Sequence, residues 1–361
     1  MRTKILALVA AGVLLLGVGC GRAGGESSGG PQAAPYEGKR ITVLVPFAPG
    51  GAADVVTRLI AESWPEHIAG RPTIVVENLT GGGGAVAMQR LMSRPADGMT
   101  LVAGNAGMIL RHMLGEPGHD YPLPSMQVVG VIPAGLVTVT TPAYPDVDSL
   151  VDAREPVSSG GVAAGGQAPT TEVLAARMLG IPLRQVFGYE GYGPIALAVQ
   201  RGEVVMASPG DSAYLSTYKD LVESRALNVQ FQTGLVDADG KVVRSPVIPD
   251  VPTVTEIMQQ RGVEPPDQAT ANAFDAMTSL ATLATALIAR PDAPKEQLDA
   301  LRASFEELAE SPQWKERTTQ AFGSPLPMMS AEAARPAYEK IFNLSNGVVE
   351  TIRAAAAEGG S

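Results

Sequence analysis

Residues 41–54 read Ile-Thr-Val-Leu-Val-Pro-Phe-Ala-Pro-Gly-Gly-Ala-Ala-Asp. An apolar, β-branched run gives way to a Pro/Gly turn, which opens into a helical pattern, Val55-Val56-Thr57-Arg58-Leu59-Ile60. The first N–H groups of a helix have no partner within it and carry a partial positive charge. Set above the C-terminal end of a strand, such a terminus suits a carboxylate or a phosphate. Gly50 and Gly51 keep the backbone approachable, because a side chain there would stand between an anion and the amides. A strand-to-helix connection without a ligand has the same local pattern, so this stretch decides the architecture before it decides a site.

Outward from it, short β-branched runs alternate with helical patterns, the signature of a mostly parallel α/β architecture. The pattern predicts strands at 41–47, 73–78, 100–104 and 127–132, with helical segments at 53–66, 84–93 and 106–114 between them. A β-branched run at Leu136–Thr141, followed by Pro142 and Pro145, marks a crossing between lobes. A second set follows: helices at 148–153, 169–179, 193–201 and 211–224, and strands at 156–159, 184–188 and 203–207. Leu227–Thr233 is the return crossing. After an extended stretch at 246–254 the tail reads as largely helical, with Leu298, Leu301, Phe305 and Leu308 on one face of a helix at 294–310. Pro336 delays or kinks the last helix. Two α/β lobes joined by two crossings, residues 36–139 together with 230–361 and residues 140–229, form a hinged layout able to close on a ligand.

The N-terminus reads as an address. Arg2 and Lys4 precede an apolar run, Ile5 to Val18, that is short for a membrane span and fits a secretory signal over residues 1–19. Cys20 is the only cysteine, so no intrachain disulfide can form. Its place after the apolar run, in Gly17-Val18-Gly19-Cys20, points to a lipidated bacterial lipoprotein, although the leucine usual three residues before the cysteine stands one place earlier, at Leu16. Residues 21–35, rich in Gly, Ser, Ala and Pro, form a tether. The remaining body is long enough for two domains, and at 45% hydrophobic residues it can build proper cores. A net charge of −10 disfavours nucleic acid or an anionic lipid surface as the main partner. It leaves an anionic ligand open, since distant surface charge is screened within about 10 Å.

Three further glycine-rich junctions stand out. Glu77-Asn78-Leu79-Thr80 runs into Gly81–Gly84, but the Gly-Lys-Ser/Thr ending of a phosphate loop and the full spacing of a dinucleotide fingerprint are both missing. Tight strand–helix packing and ligand shaping explain this turn equally well. Gly160–Gly166 leads into Gln167-Ala168-Pro169-Thr170-Thr171-Glu172, where the threonines can cap the helix or meet a ligand. Tyr189-Glu190-Gly191-Tyr192 brings an aromatic wall and hydroxyls to another strand end, with core packing as the alternative. Catalysis finds little support. His67, His112 and His119 lack metal-ligand spacing, no Gly-x-Ser-x-Gly elbow is present, and Asp54 inside a helix start reads as a dipole-compensating acid.

The chain resembles the substrate-binding component of tripartite tricarboxylate transporters, the Bug (TctC-like) family of extracytoplasmic receptors. The resemblance is carried by Val45–Asp54, by Val76-Glu77-Asn78 with Gly81–Gly84, and by Pro95-Ala96-Asp97-Gly98-Met99-Thr100-Leu101. It continues through Gly188-Tyr189-Glu190-Gly191 with Gly202-Glu203-Val204, then Pro249-Asp250-Val251-Pro252-Thr253-Val254 and Pro291–Glu296. These segments fall in family order across nearly all of residues 39–355. The resemblance implies a periplasmic-binding-protein fold of the two-hinge type, non-enzymatic and without a cofactor or metal, which captures a small organic acid as a monomer. It implies delivery to integral membrane permease subunits. The ligand carboxylate would be gripped by backbone N–H groups and ordered water at Phe47, Ala48, Gly50, Gly51, Ala52 and Asp54. Gly104 and Asn105 flank the same crevice, and Gly165, Gln167, Thr170, Tyr189 and Gly191 face it from the other lobe.

The chain departs from the family pattern at Glu190, where a basic residue is usual, and at Leu79-Thr80, where the family carries Arg-Pro. Met277–Leu287 lacks the family's tryptophan. If Glu190 faces the cleft, it would repel a second carboxylate, which favours an amino-bearing, neutral or monocarboxylic ligand over citrate. A ligand-sensing co-receptor on the same fold, and an exported α/β enzyme, are the alternative functions.

Overall fold

Arg40–Val45 (β1) forms where the apolar run predicts a strand, and Ala52–Ser63 follows as a helix. The structure, a computed structural model, describes residues 36–358. The expected signal segment, Cys20 and the tether at 21–35 lie outside the described residues. Among those described, no helix is long and apolar enough to cross a membrane.

Two mixed sheets with flanking helices make two α/β lobes. The first holds β1, Thr73–Asn78 (β2), Thr100–Asn105 (β3) and Gln127–Ile132 (β4). The second holds Val137–Thr140 (β5), Val157–Gly160 (β6), Leu183–Val186 (β7), Met206–Ala207 (β8) and Asn228–Gln232 (β9). Leu235–Val236 (β10) and Val242–Val243 (β11) form a small hairpin. Thr285–Ala289 (β12) and Met329–Ser330 (β13) then return to the first sheet, whose order is β13-β4-β12-β3-β1-β2. The second sheet runs β7-β6-β8-β5-β9.

β1 pairs in parallel with β2 and β3, and β6 with β7 and β8. β12 is antiparallel to both β3 and β4, and β5 to β8 and β9. The sheets are thus less uniformly parallel than the alternation predicts. β12 interrupts the tail that the pattern predicts to be largely helical, because Thr285 followed by four apolar residues, Ala-Leu-Ile-Ala, shows no alternation. A strand with every residue buried in a sheet centre needs none. The register places Thr285 beside Asn105 and Ile132. The start of β12 therefore shares one sheet edge with the ends of β1, β3 and β4.

Packing fixes that edge. Gly130 in β4 lies under Phe305 of the helix Lys295–Glu310, and a Cβ there would sit 2.2 Å from the ring. Only glycine lets this helix settle on the sheet. Phe305 meets Trp64 edge to face at 5.7 Å, and the Trp64 Nε1–H donates to Ser304 Oγ at 2.9 Å. Pro336 sits in the first turn of Arg335–Phe342, where its missing N–H costs nothing.

Candidate functional site

The loop after β1 is held by one acid. Asp54 is buried; its Oδ2 accepts from the Gly50 N–H at 2.9 Å and from Arg58 Nε at 3.0 Å. Its Oδ1 accepts from Asn78 Nδ2 at 2.7 Å, and the same nitrogen donates to the Phe47 carbonyl at 3.0 Å. The Arg58 guanidinium, the largest influence, holds the Asp54 carboxyl down to about 2. With its acceptors engaged inside the loop, Asp54 positions the Phe47–Gly51 backbone and presents no free oxygen to the cleft.

Gly51 is the N-cap of Ala52–Ser63, at φ −73° and ψ 161°, without a side-chain cap. Gly166 caps Gln167–Leu179 and Gly191 caps Tyr192–Arg201, again without a side-chain bond. Elsewhere Asp146, Thr253, Asp267 and Ser311 satisfy their helix starts with side-chain oxygens. The glycine caps leave the first-turn donors to whatever enters from outside the helix.

Two adjoining cavities lie at the strand ends. One, about 510 Å³, is lined by residues that include Phe47, Ala48, Gly51, Ala53, Ala134 and Asp211. The other, about 570 Å³, is bordered by Gly160, Gly166, Gln167, Glu172, Tyr192 and Ser208 among others. Phe47, Asn105 and Ala284 border both, so the two compartments meet at the shared edge of β1, β3 and β12. Each volume falls within the usual range for small-molecule sites. Among the described residues, no lysine or arginine lines either cavity. Positive potential must come from backbone donors.

Two buried acids stand in the walls. Glu172 Oε1 accepts from Ser159 Oγ at 2.6 Å and Ser208 Oγ at 2.7 Å, and its Oε2 accepts from Gln185 Nε2 at 2.7 Å. Burial raises its pKa against those three hydrogen bonds. Asp211 is 1% exposed, and its Oδ2 accepts from the Gly135 N–H at 3.1 Å and from Ser245 Oγ at 2.9 Å. Burial pushes this carboxyl up to about 7. Asp211 is not among the candidates drawn from the sequence, and Glu172 closes the Gly160–Glu172 stretch without a role of its own there. The signal for Asp211 was available: Ser208-Pro209-Gly210-Asp211 repeats the strand–glycine–helix pattern seen at Gly51.

Of the sequence candidates, Phe47, Ala48, Gly51, Asn105 and Gln167 line the cavities. Gly50 lies beside them, its N–H taken by Asp54, and Ala52 opens the helix. Gly104 is packed from within: a Cβ there would meet Met108 at 2.7 Å and Ile288 at 2.8 Å. Asn105 Oδ1 accepts from the Met108 N–H and so caps Ala106–Met113. The Thr170 hydroxyl donates to the Gly166 carbonyl, which ties down that helix start. Gly165 adjoins the second cavity through Gly166, and Gly191 adjoins it through Tyr192, which lines it. Tyr189 packs against the apolar core, and Glu190 is exposed. Gly81–Gly84 all have positive φ and turn against Arg111 and Met108, which gives that motif a packing role.

No protein-family model matches the chain. Among curated proteins it is 28% identical to protein BugT of Bordetella pertussis over 232 residues, 62% of this chain and 67% of that protein. It is 26% identical over 241 residues to a UPF0065 protein encoded between tcbD and tcbE in a Pseudomonas species, 63% of this chain and 66% of that protein. The matches thus span about two thirds of each relative's length. A TctC solute-binding protein from Polaromonas superposes with a TM-score of 0.64 at 14% identity, covering 85% of this chain and 99% of that one. A Rhodopseudomonas palustris protein with adipate gives 0.57 at 20% identity, covering 88% and 97%. MatC of the same organism, with bound malate, gives 0.54 at 21% identity, covering 89% and 99%. None of these is described as an enzyme. The fold is that of the periplasmic binding proteins, and the sequences and structures it is similar to are Bug, UPF0065 and TctC proteins.

Proposed function

We propose that the chain is an extracytoplasmic solute receptor that captures a small organic acid and hands it to the membrane permease of a tripartite tricarboxylate-type transporter. One observation carries the reading: a glycine-capped helix N-terminus opens into a cleft that no lysine or arginine lines. Such a cleft offers an anion peptide donors and neutral side chains such as Asn105, Ser212 and Gln167 in place of a cation, and a carboxylate is the small anion that fits them. Malate and adipate in two matched structures support the same chemical class. The two sheets serve as the two jaws, and the second takes in β5 and β9, so its lobe begins and ends a few residues outside the 140–229 expected from the sequence. The switch is closure on the ligand, driven by tighter binding to the closed state. Lipidation at Cys20, in this reading, anchors the receptor outside the cytoplasm.

A thermal-shift screen against mono-, di- and tricarboxylates, amino acids and aromatic acids tests the proposal. A true ligand at about 100 times its dissociation constant adds about 2.7 kcal/mol of stability. A panel in which no carboxylate raises the melting temperature would overturn it.

A further inference from the structure

Asp211 Oδ1 is buried and has no hydrogen-bond partner among the described residues. Most buried polar atoms in folded proteins are paired, so an exception at the wall of a cavity calls for a complement. Its other oxygen is fully used by Gly135 and Ser245, which fix the carboxylate plane. The nearest atoms to a Cβ built on Gly135 are the Gly234 carbonyl, Thr233 Oγ1 and Asp211 Oδ1. The carbonyl can only accept, and Thr233 Oγ1 accepts from the Leu136 N–H while its own proton goes to the Gly234 carbonyl. No cationic side chain lines this cavity. Burial lifts this acid to about 7, so a cationic donor on the ligand would both pair Oδ1 and hold it ionised. The same cavity also reaches Gly51 and Ala53 at the opposite requirement, a donor-rich helix start of 12 residues. One wall wants an anion and another wants a donor.

We propose that Asp211 is a specificity-determining residue that pairs with a nitrogen-borne N–H of the ligand, so that the cleft selects an amino-bearing carboxylic acid over the corresponding simple acid. This rests on the solute-receptor reading and narrows it to a ligand class. The ligand's carboxylate lies at the Gly51 terminus and its ammonium at Asp211, and the apolar residues Val56, Ile132 and Leu326 enclose what lies between. An acid lacking the nitrogen leaves Asp211 facing an anion across an apolar cavity, which both weakens it and leaves the carboxylate unpaired.

Matched pairs differing only in the amino group provide the test: alanine with propionate, leucine with 4-methylpentanoate, glutamate with glutarate, and 2-aminoadipate with adipate. Affinities are measured by calorimetry on the wild-type chain and on Asp211→Asn. In the wild type, the amino member of the best-binding pair is expected to bind at least about tenfold more tightly than its partner. Asp211→Asn, which keeps an acceptor for Gly135 and Ser245, should erase that preference while the simple acid binds as before or better. A wild type that binds simple acids as tightly as their amino counterparts overturns the inference and leaves the solute-receptor reading intact. A preference that survives in Asp211→Asn also overturns the role of Asp211. If no member of any pair binds while another acid of the thermal-shift panel does, the selection for an amino group is overturned and the solute-receptor reading stands; if nothing in either set binds, both fail. The wild-type ratio decides even if the variant does not fold.

Discussion

Gly51→Val should lower affinity for the captured acid by about 100-fold and leave the fold almost as stable as before. The backbone at Gly51 has φ −73°, a conformation open to any residue, and an added Cβ meets nothing closer than the Ala48 carbonyl oxygen at 3.7 Å. Valine is thus accommodated at a cost of less than about 1 kcal/mol. Its methyl groups, however, project where an anion must approach the first-turn amides. Losing one or two charge-assisted hydrogen bonds is worth about 2.7 kcal/mol, which is the 100-fold expected. Calorimetry with the acid that gives the largest thermal shift, alongside a melting curve, separates the two effects. Affinity within about threefold of wild type would remove this loop from the binding site.

Asp54→Ala should cost about 3 kcal/mol of stability, because charge-assisted bonds to the Gly50 amide, Asn78 and Arg58 all end on this buried carboxylate. The loss is pH-dependent in a defined sense. The folded-state pKa of about 2 lies below the ordinary value of 3.8, so the acid contributes stability that is fully present above 3.8 and disappears as pH falls through about 2. The gap between wild type and variant in urea unfolding should therefore be wide near neutrality and narrow at acid pH. An equal gap at both would show that Asp54 acts through packing alone. Because the same carboxylate positions the Phe47–Gly51 backbone, ligand affinity should fall with stability, in contrast to Gly51→Val.

Strand–turn–helix punctuation made much of this molecule legible. Glycines and prolines at strand ends set the boundaries of β1 to β4 within a residue or two, and the same punctuation located Gly51, Gly166 and Gly191. The strand β12 was not legible, since Thr285 and the four buried apolar residues after it carry no period from which strand and helix can be told apart. Its neighbours Ala284 and Thr285 reach the cleft only because the antiparallel register sets them beside Asn105, a long-range fact that no local window contains. The roles within the site were harder to read than its location. Thr170 and Asp54 look like ligand contacts in a sequence, but their polar atoms are spent on the Gly166 carbonyl and on the loop amides. Glu172 and Asp211 look like solvated helix acids, yet tertiary packing buries both. Glu190, which the sequence singled out as a possible source of repulsion, points to solvent.

A crystal structure of the occupied protein, grown with the acid that gives the strongest thermal shift, is the most direct measurement. A carboxylate oxygen should lie about 3 Å from the backbone N–H groups at Gly51–Asp54, or reach them through a single ordered water. Acidic oxygens bound only by side chains, away from that turn, would contradict peptide-amide capture.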